Sequence, residues 1–415
     1  MITKPKGTYD LLDIEGRIYK FIEQTATNFA ENYNYEFIRT PIFESSELFH
    51  RGVGETTDII TKETYNFKDR GDREMTLRPE GTAGVVRSVI ENKLYGNRHD
   101  VLKYYYLGTM YRYERPQKGR YRELTQFGVE AFNSDDPLTD AEVISLGYYF
   151  IKSLGIEKFS VHINTLGDAE SRDNYRDALL EYLKPHINDL CEDCQKRYKT
   201  NPLRILDCKA DKDNPILKNT PKISGYLTPD SKNRFQKLQS YLNYLDVDYE
   251  VNENIVRGLD YYDHNVWEDV TEDEAVALGG GGRYNHLVET LGGPALPAVG
   301  FGLGVDRLIL EIKKITPEQP LEKCIDAYIM CINEEEKIHA IAQDLRLNGI
   351  IAEVNSNNLS LKAQFKLADT LNSSFLIILN SEDLQKGIIT IKDNQTKEEF
   401  KMDEDEVVDW LIGNI

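Results

Sequence analysis

The first part of the chain shows one helical and one strand-like pattern of apolar positions. Apolar side chains at helical spacing, among them Ile18, Phe21 and Ile22, predict an amphipathic helix over residues 14–32. A short apolar run over residues 35–39 follows and ends before Pro41, which predicts a brief strand. The order of helix, strand and proline fits an ordinary helix packed on a sheet edge.

Two tyrosine-rich segments predict a long β-hairpin in the middle of the first half. Alternating patterns over residues 100–115 and 122–132 predict strands. Pro116 and Gly119 predict the turn between them.

Four further segments flank this hairpin along the chain. Residues 77–94 are predicted to be a loop that enters a helix, and residues 139–155 a helix with a Thr/Asp cap that ends at Gly155. Residues 158–167 are predicted to be a strand. Within the glycine-rich segment 279–310, residues 300–310 predict a strand of small residues that runs into an amphipathic helix.

The pattern changes twice, which predicts the domain organisation. Residues 169–249 are polar, helical and cysteine-bearing, and they interrupt a predicted sheet, so we expect an inserted helical subdomain. Residues 316–323 contain two prolines without periodicity and predict a linker. Strand and helix patterns alternate after it, which predicts a small α/β domain with a largely parallel sheet. The predicted domains are residues 1–322 and 323–415.

Composition limits the classes of protein. A length of 415 residues suits two or three domains, and no apolar run approaches the roughly 20 residues of a membrane span. Five cysteines, an odd number, do not suggest a disulfide framework and fit a reducing compartment, so we expect a cytoplasmic protein. The formal net charge of −20 argues mildly against a dedicated nucleic-acid-binding module.

The predicted hairpin turn carries a local excess of positive charge against this acidic background. Five cations fall within eleven residues: Arg112, Arg115, Lys118, Arg120 and Arg122. Planar, always-charged guanidinium groups suit phosphate, so the turn is a candidate polyphosphate site. A solvated charged hairpin is the alternative.

Together these segments resemble class II aminoacyl-tRNA synthetases. The hairpin is similar to motif 2, with Arg112 and Glu114 as its Arg–x–Glu core, and the glycine-rich strand and helix are similar to motif 3, which Arg307 closes. RGLDYY at residues 257–262 and LRPEGTAG at residues 77–84 are similar to signatures of histidyl-tRNA synthetases. The resemblance covers nearly the whole chain.

The resemblance implies a fold and an assembly. The fold would be α+β, with a class II antiparallel sheet flanked by helices, a helical insertion near the acceptor arm of tRNA, and a C-terminal α/β anticodon-binding domain. The helix over residues 14–32 and the strand after it resemble motif 1, which builds a homodimer interface.

The resemblance also implies an activity and an ATP site. Histidine would be activated with ATP and then transferred to the 3′ end of tRNA(His). Arg112 would hold the α-phosphate beside the amino-acid carboxylate, Arg257 would add a second cation there, and Arg307 would grip the γ-phosphate. Glu114 would accept a hydrogen bond from adenine, and Arg120 would also bind ATP. Mg²⁺ would bridge the ATP phosphates.

The same resemblance supplies a histidine pocket. Glu130 and Tyr262 match the positions that hold the imidazole ring. The remaining histidine-binding positions are Glu80, Gly81, Thr82, Gln126, Tyr261 and Tyr284. Core packing is the alternative for the tyrosines. At the hairpin tip, Arg115, Gln117 and Lys118 would contact the acceptor end of tRNA.

A metal site is not assigned from the sequence. Cys191 and Cys194 form a Cys–x–x–Cys pair, Cys208 follows fourteen residues later, and His186 is nearby. These are ligands for structural zinc. The usual second Cys–x–x–Cys is missing, so buried or surface thiols are favoured.

Two other functions compete with the ligase. A regulator that keeps this catalytic fold, such as the histidine-sensing subunit of ATP phosphoribosyltransferase, would tend to lose the motif arginines and the C-terminal domain. This sequence keeps Arg112, Arg257 and Arg307. A non-specific RNA-binding module is disfavoured by the acidic charge.

Overall fold

The computed structural model describes most of the chain. The described residues are 1–54, 57, 59–96, 100–208, 210–211, 213–272, 277–315, 324–331, 335–354 and 359–415. They form two compact units, Met1–Pro317 and Glu318–Ile415. The predicted linker 316–323 lies outside the described residues, so the predicted boundary after residue 322 stays a prediction.

The first unit contains ten helices and eleven strands among its described residues. The helices are α1 Asp13–Asn32, α2 Ser46–Val53, α3 Thr82–Glu91, α4 Pro137–Ser153, α5 Ala169–Leu183, α6 Glu192–Thr200, α7 Pro215–Lys218, α8 Pro229–Tyr244, α9 Leu287–Thr290 and α10 Val305–Ile315. The strands are β1 Glu36–Phe37, β2 Phe43–Ser45, β3 Tyr65–Lys68, β4 Glu74–Leu77, β5 Leu102–Tyr111, β6 Glu123–Phe132, β7 Phe159–Thr165, β8 Tyr249–Val251, β9 Asp263–Thr271, β10 Ala277–Arg283 and β11 Ala298–Gly304. Short turns lie at Ile59–Glu63, Ile187–Asp189, Pro202–Ile205 and Ile223–Gly225.

An eight-stranded sheet organises this unit. Its strand order is β1-β5-β6-β11-β10-β9-β7-β8. The two edge pairings, β1 with β5 and β7 with β8, are parallel, and the five central pairings are antiparallel. The predicted hairpin is therefore confirmed as β5 and β6, which lie next to the glycine-rich strands β11 and β10.

The helices bury the faces that their sequences offer. α1 buries Ile18, Ile22, Ala26 and Ala30 at four-residue spacing. Phe21, which the pattern placed on the apolar face, is 39% exposed. α4 begins two residues earlier than predicted, because the Asp136 side chain accepts a hydrogen bond from Leu138 N and caps the helix.

The insertion is helical, as predicted, and has its own small core. Its buried members are Leu179, Leu183, Leu190, Cys194, Ile205, Cys208 and Leu217. α5 contributes Leu179 and Leu183 to this core, α6 contributes Cys194, and the turn Pro202–Ile205 contributes Ile205.

The second unit is a five-stranded sheet with helices. Its elements are β12 Ile325–Cys331, α11 Glu335–Leu347, β13 Ala352–Val354, α12 Leu361–Thr370, β14 Ser373–Leu379, α13 Ser381–Leu384, β15 Ile388–Asp393, β16 Glu399–Asp403, the turn Glu404–Glu406 and α14 Val407–Ile412. The order is β13-β12-β14-β15-β16.

The prediction of a largely parallel sheet is wrong for half of this unit. β12 pairs in parallel with β13 and β14, whereas β14–β15 and β15–β16 are antiparallel. The connections before β15 and β16 are too short for the crossover that parallel strands require. Within the part of the chain that the structure describes, no helix has the length and apolar character of a membrane span.

Candidate active site

A cavity of about 460 Å³ lies between the hairpin turn, the glycine-rich strands and α10. Six of the predicted site residues line it: Arg112, Glu114, Arg120, Gln126, Arg257 and Arg307. The hairpin brings the first four, and the strand-to-helix segment brings Arg307. The structure therefore gathers cations from segments almost two hundred positions apart.

Backbone carbonyls and one glutamate hold the hairpin arginines. Arg112 Nε donates to the Pro79 carbonyl at 2.8 Å. Glu114 lies between two guanidinium groups, 3.9 Å from Arg112 and 3.6 Å from Arg120. These contacts restrict the side chains before any ligand binds, which is what an electrostatic site requires.

Arg307 closes the cavity from the first turn of α10. Its Nε donates to the Gly119 carbonyl at 3.3 Å, and its Nη1 donates to the Ala277 carbonyl. Burial, followed by the charges of Arg120 and Arg112, lowers the pKa of Arg307 to about 10. Clustered cations that repel one another favour binding of an anion among them.

Arg257 lines the cavity beside the buried ring of Tyr262. Its Nη1 donates to Glu268 at 2.6 Å, and its guanidinium stands 5.9 Å from the centre of the Tyr262 ring. Its Nε is buried and has no hydrogen-bond partner among the described residues. A buried donor of this kind is costly unless a ligand supplies the acceptor.

The second part of the site is a buried carboxyl group. Glu130 is fully buried, and its carboxylate accepts hydrogen bonds from Thr82 Oγ1 at 2.7 Å, Tyr106 OH at 3.5 Å and Tyr284 OH. Burial raises the pKa of Glu130 to about 8 despite these hydrogen bonds. The side chain is thus an acceptor that ionises readily only when a partner with positive charge arrives.

Glu80, a predicted histidine-binding residue, makes structural contacts at the start of α3. Its carboxylate accepts the backbone N–H groups of Thr82 and Ala83, both at 2.8 Å, at the start of α3. Burial raises its pKa, and these two hydrogen bonds oppose the shift. The two hydrogen bonds from the start of α3 to Glu80 therefore fix the position from which Thr82 donates to Glu130.

The three predicted tyrosines pack together beside Glu130. The ring centres of Tyr261 and Tyr262 are 4.6 Å apart, and those of Tyr261 and Tyr284 are 5.6 Å apart. Tyr262 and Tyr284 belong to the buried core, so these two tyrosines do pack in the core, as the alternative to a binding role stated. The hydroxyl of Tyr284 nevertheless bonds to Glu130, which gives it a polar role too.

The glycines are required because they leave space for these side chains. A Cβ on Gly300 would overlap Glu130 Oε2, and one on Gly81 would overlap the Tyr106 ring. A Cβ on Gly282 would lie 2.6 Å from Tyr262 Cδ1, and one on Gly280 would lie 2.8 Å from Arg257 Nη1. The glycines of these strands therefore leave the space that the side chains of Glu130, Tyr262 and Arg257 occupy.

The tip of the hairpin faces solvent. Arg115, Gln117 and Lys118 are exposed. Gln117 and Arg120 exchange two backbone hydrogen bonds at 3.1 and 2.9 Å, and Gly119 adopts φ +74° between them. The turn presents these polar side chains at the edge of the cavity.

Sequence reasoning did not select three residues that the structure brings into contact with candidate residues. Tyr106 contacts Glu130, and Glu268 pairs with Arg257. Asp211 lies with Cys191, Cys194 and Cys208, with ligand atoms all within 4.8 Å of one another. His186, which the sequence offered only as a nearby possible ligand, packs on Tyr182. The only local signal for Asp211 was its position three residues after Cys208.

Known proteins resemble this chain over nearly its full length. The family model for histidyl-tRNA synthetase matches residues 7–308, and that for an anticodon binding domain matches residues 326–414. A histidine–tRNA ligase of Bacillus cytotoxicus is 47% identical over 401 residues, 95% of each chain. One from a Geobacillus species is 46% identical over 413 residues, 98% of each chain.

A solved structure gives the same result for the fold. Apo histidyl-tRNA synthetase of Staphylococcus aureus superposes with a TM-score of 0.83 and 37% identity, covering 99% of this chain and all of that one. The antiparallel sheet flanked by helices, the insertion and the C-terminal α/β domain are thus those of a class II synthetase. The chain belongs to the histidyl-tRNA synthetase family.

Proposed function

We infer that this chain is a histidine–tRNA ligase that works in two steps and takes histidine, ATP and tRNA(His) as substrates. The observation that carries the residue assignments is the junction at Arg257 and Tyr262. There an arginine of the cavity stands beside the tyrosines that pack next to Glu130, and we infer that a polyphosphate and an imidazole bind side by side.

In the first step, a carboxylate oxygen of histidine attacks the α-phosphorus of ATP. The bond to the β-phosphate oxygen breaks, and pyrophosphate leaves with its electron pair. We assign Arg112 and Arg257 to the α-phosphate, where charge builds in the transition state. Arg307 and Arg120 hold the outgoing phosphates, and Glu114 accepts a hydrogen bond from the adenine amino group.

Selection of histidine rests on the buried cluster. An imidazole has two ring nitrogens, and we assign Glu130 and Tyr262 as their partners. Bringing a ring N–H to the Glu130 carboxyl lets that group ionise inside the protein, whereas an apolar side chain would leave it without a partner. Glu80, Gly81, Thr82 and Gln126 orient the amino and carboxylate ends, and Tyr261 and Tyr284 form the walls.

In the second step, a terminal ribose hydroxyl of tRNA attacks the carbonyl carbon of the adenylate, and AMP leaves. The exposed hairpin tip is the element that can reach an approaching acceptor end. We assign Arg115, Gln117 and Lys118 to that contact. The C-terminal unit, from about residue 323, would bind the anticodon stem.

Mg²⁺ fits the oxygen donors of the cavity. Glu63, Glu114 and Glu268 line it, and Mg²⁺ favours one or two carboxylates together with phosphate oxygens. When bound, the ion would neutralise part of the phosphate charge. Arg257 pairs with Glu268, so this arginine and a bound ion would share that carboxylate.

We also propose a cytoplasmic homodimer. Large apolar side chains are exposed around β1, β2 and β3, namely Phe37, Ile42, Phe43 and Phe67. Exposed apolar patches of this kind mark interfaces between subunits. Sedimentation of the purified chain tests the dimer directly.

ATP–pyrophosphate exchange tests the assignment without tRNA. We expect exchange with histidine alone among the twenty amino acids, and loss of exchange in Arg257→Ala. Folded protein that binds histidine but catalyses no exchange would support the regulatory alternative instead.

A further inference from the structure

Four potential metal ligands meet at the start of α6, outside the active site. Cys194 and Cys208 are buried, and Cys191 and Asp211 are partly buried. Cys191 Sγ lies 3.6 Å from Cys208 Sγ, and Cys208 Sγ lies 3.7 Å from Asp211 Oδ2. All four ligand atoms fall within 4.8 Å of one another.

These separations match a tetrahedral thiolate site. Bonds of about 2.3 Å from zinc to sulfur place neighbouring sulfurs a little under about 4 Å apart, and zinc also accepts a carboxylate oxygen. A disulfide would need its sulfurs at about 2.05 Å. We propose that Cys191, Cys194, Cys208 and Asp211 bind one structural zinc ion.

The backbone around the cluster supports this assignment. Cys191 is the N-cap of α6, and its side chain makes no capping hydrogen bond. Its backbone N–H instead donates to Asp211 Oδ2 at 2.9 Å, which fixes the carboxylate beside the thiols.

The cavity beside the cluster carries charges of both signs. Arg197 and Arg204 line it together with Cys191 and Cys208, and so do the carboxylates of Glu63, Asp193 and Asp207.

The position of the site gives the ion a structural task. The core of the insertion is small, and small units gain most from a metal cross-link. Zinc would join α6 to the segment after the turn Pro202–Ile205. That turn contains Arg204. The Arg204 carbonyl accepts a hydrogen bond from Arg197 at 3.1 Å, and the Arg204 guanidinium donates to the Arg257 carbonyl at 3.1 Å. The metal site would thereby stabilise the support of Arg257.

Elemental analysis of untagged, full-length protein, purified without chelators, tests the proposal. We expect about one zinc per chain in the wild type, and loss of zinc in Cys194→Ser. Cobalt added to the stripped protein should give the near-ultraviolet thiolate-to-metal absorption of a tetrahedral site. Cys324→Ser is the matched control, because Cys324 is an exposed cysteine of the other unit, and it should keep full zinc.

A second variant protects the test against simple misfolding. Asp211→Asn keeps the size of the side chain and should weaken zinc binding about tenfold or more in competition with a chelator. Asp211→Cys should restore tight binding and strengthen the cobalt–thiolate absorption.

Two results would overturn the proposal. One is wild-type protein without zinc whose three clustered thiols all react with a thiol reagent. The other is a Cys191–Cys208 disulfide in protein prepared under reducing conditions. Pyrophosphate exchange, measured on the same sample, separates the two proposals. Exchange in protein without zinc would keep the ligase assignment and reject the metal site.

Discussion

The two halves of the active site use opposite electrostatic arrangements. The proposed ATP cavity gathers guanidinium groups, and burial, followed by the repulsion among their charges, lowers the pKa of Arg307. The histidine pocket encloses one carboxyl group whose pKa is raised by burial. In each half the charged form of the side chain is therefore disfavoured while no ligand is bound. A substrate of opposite charge would stabilise that form, which favours binding.

The halves also differ in how they are held. The arginines donate to backbone carbonyls and to Glu268, and Glu114 lies between Arg112 and Arg120. Glu130 is held by hydroxyl groups of Thr82, Tyr106 and Tyr284 in a space made by glycines. Substitutions should therefore affect the cationic half through charge and the buried half through packing and proton binding.

The largest effect should follow Arg257→Ala. Removing a cation from the α-phosphate should lower the rate of activation about a thousandfold, roughly 4 kcal/mol, while histidine binding changes little. Single-turnover adenylate formation and histidine titration measure the two effects. Arg73→Ala, whose side chain is exposed and pairs with Asp69 at 2.6 Å, is the control and should retain wild-type rates. Equal losses in both variants would contradict the assignment.

Gly300→Ala should damage the buried half. The new Cβ would overlap Glu130 Oε2 and the Val129 carbonyl, and overpacking of this kind costs about 1–3 kcal/mol. We expect histidine binding to weaken about 10- to 100-fold by calorimetry. Gly302→Ala on the same strand places its Cβ 3.8 Å from Gln126 and should have a clearly smaller effect. A similar loss in the two variants would show that strand disruption, not Glu130, is responsible.

The pH dependence of stability should change in Glu130→Gln. Native Glu130 keeps its proton up to about pH 8, whereas the unfolded chain loses it near the ordinary pKa of a glutamate. The native state therefore binds more protons between these values, and stability falls as pH rises, by at most about 1.4 kcal/mol per pH unit. Relative to the wild type, the variant should become more stable from about pH 5 to about pH 8 in denaturant titrations. Parallel curves would contradict a protonated Glu130.

The smallest effects should come from the hairpin tip. Arg115→Ala and Lys118→Ala each remove one exposed cation, worth about 1 kcal/mol in tRNA contact. Aminoacylation should fall several-fold and become less sensitive to salt, while pyrophosphate exchange stays unchanged. A matching fall in exchange would place these side chains at ATP instead.

Local patterns predicted most of the elements correctly. α1, the β5–β6 hairpin, α3 and the strand-to-helix passage from β11 to α10 follow from periodicity, turn residues and glycine content, which act over a few neighbouring positions. The glycine run at residues 279–282 concealed strand β10, because glycine carries no strand preference of its own.

The sequence alone determined the residue types of the site and the order in which they occur along the chain. Only the tertiary structure decided which of them meet. Glu130 contacts Thr82 across 48 positions and Tyr284 across 154, and Arg307 contacts Gly119 across 188. The raised pKa of Glu130 and the grouping of Asp211 with three cysteines arise in the same way. Burial and distance are properties of the packed sheet and insertion, and no local pattern encodes them.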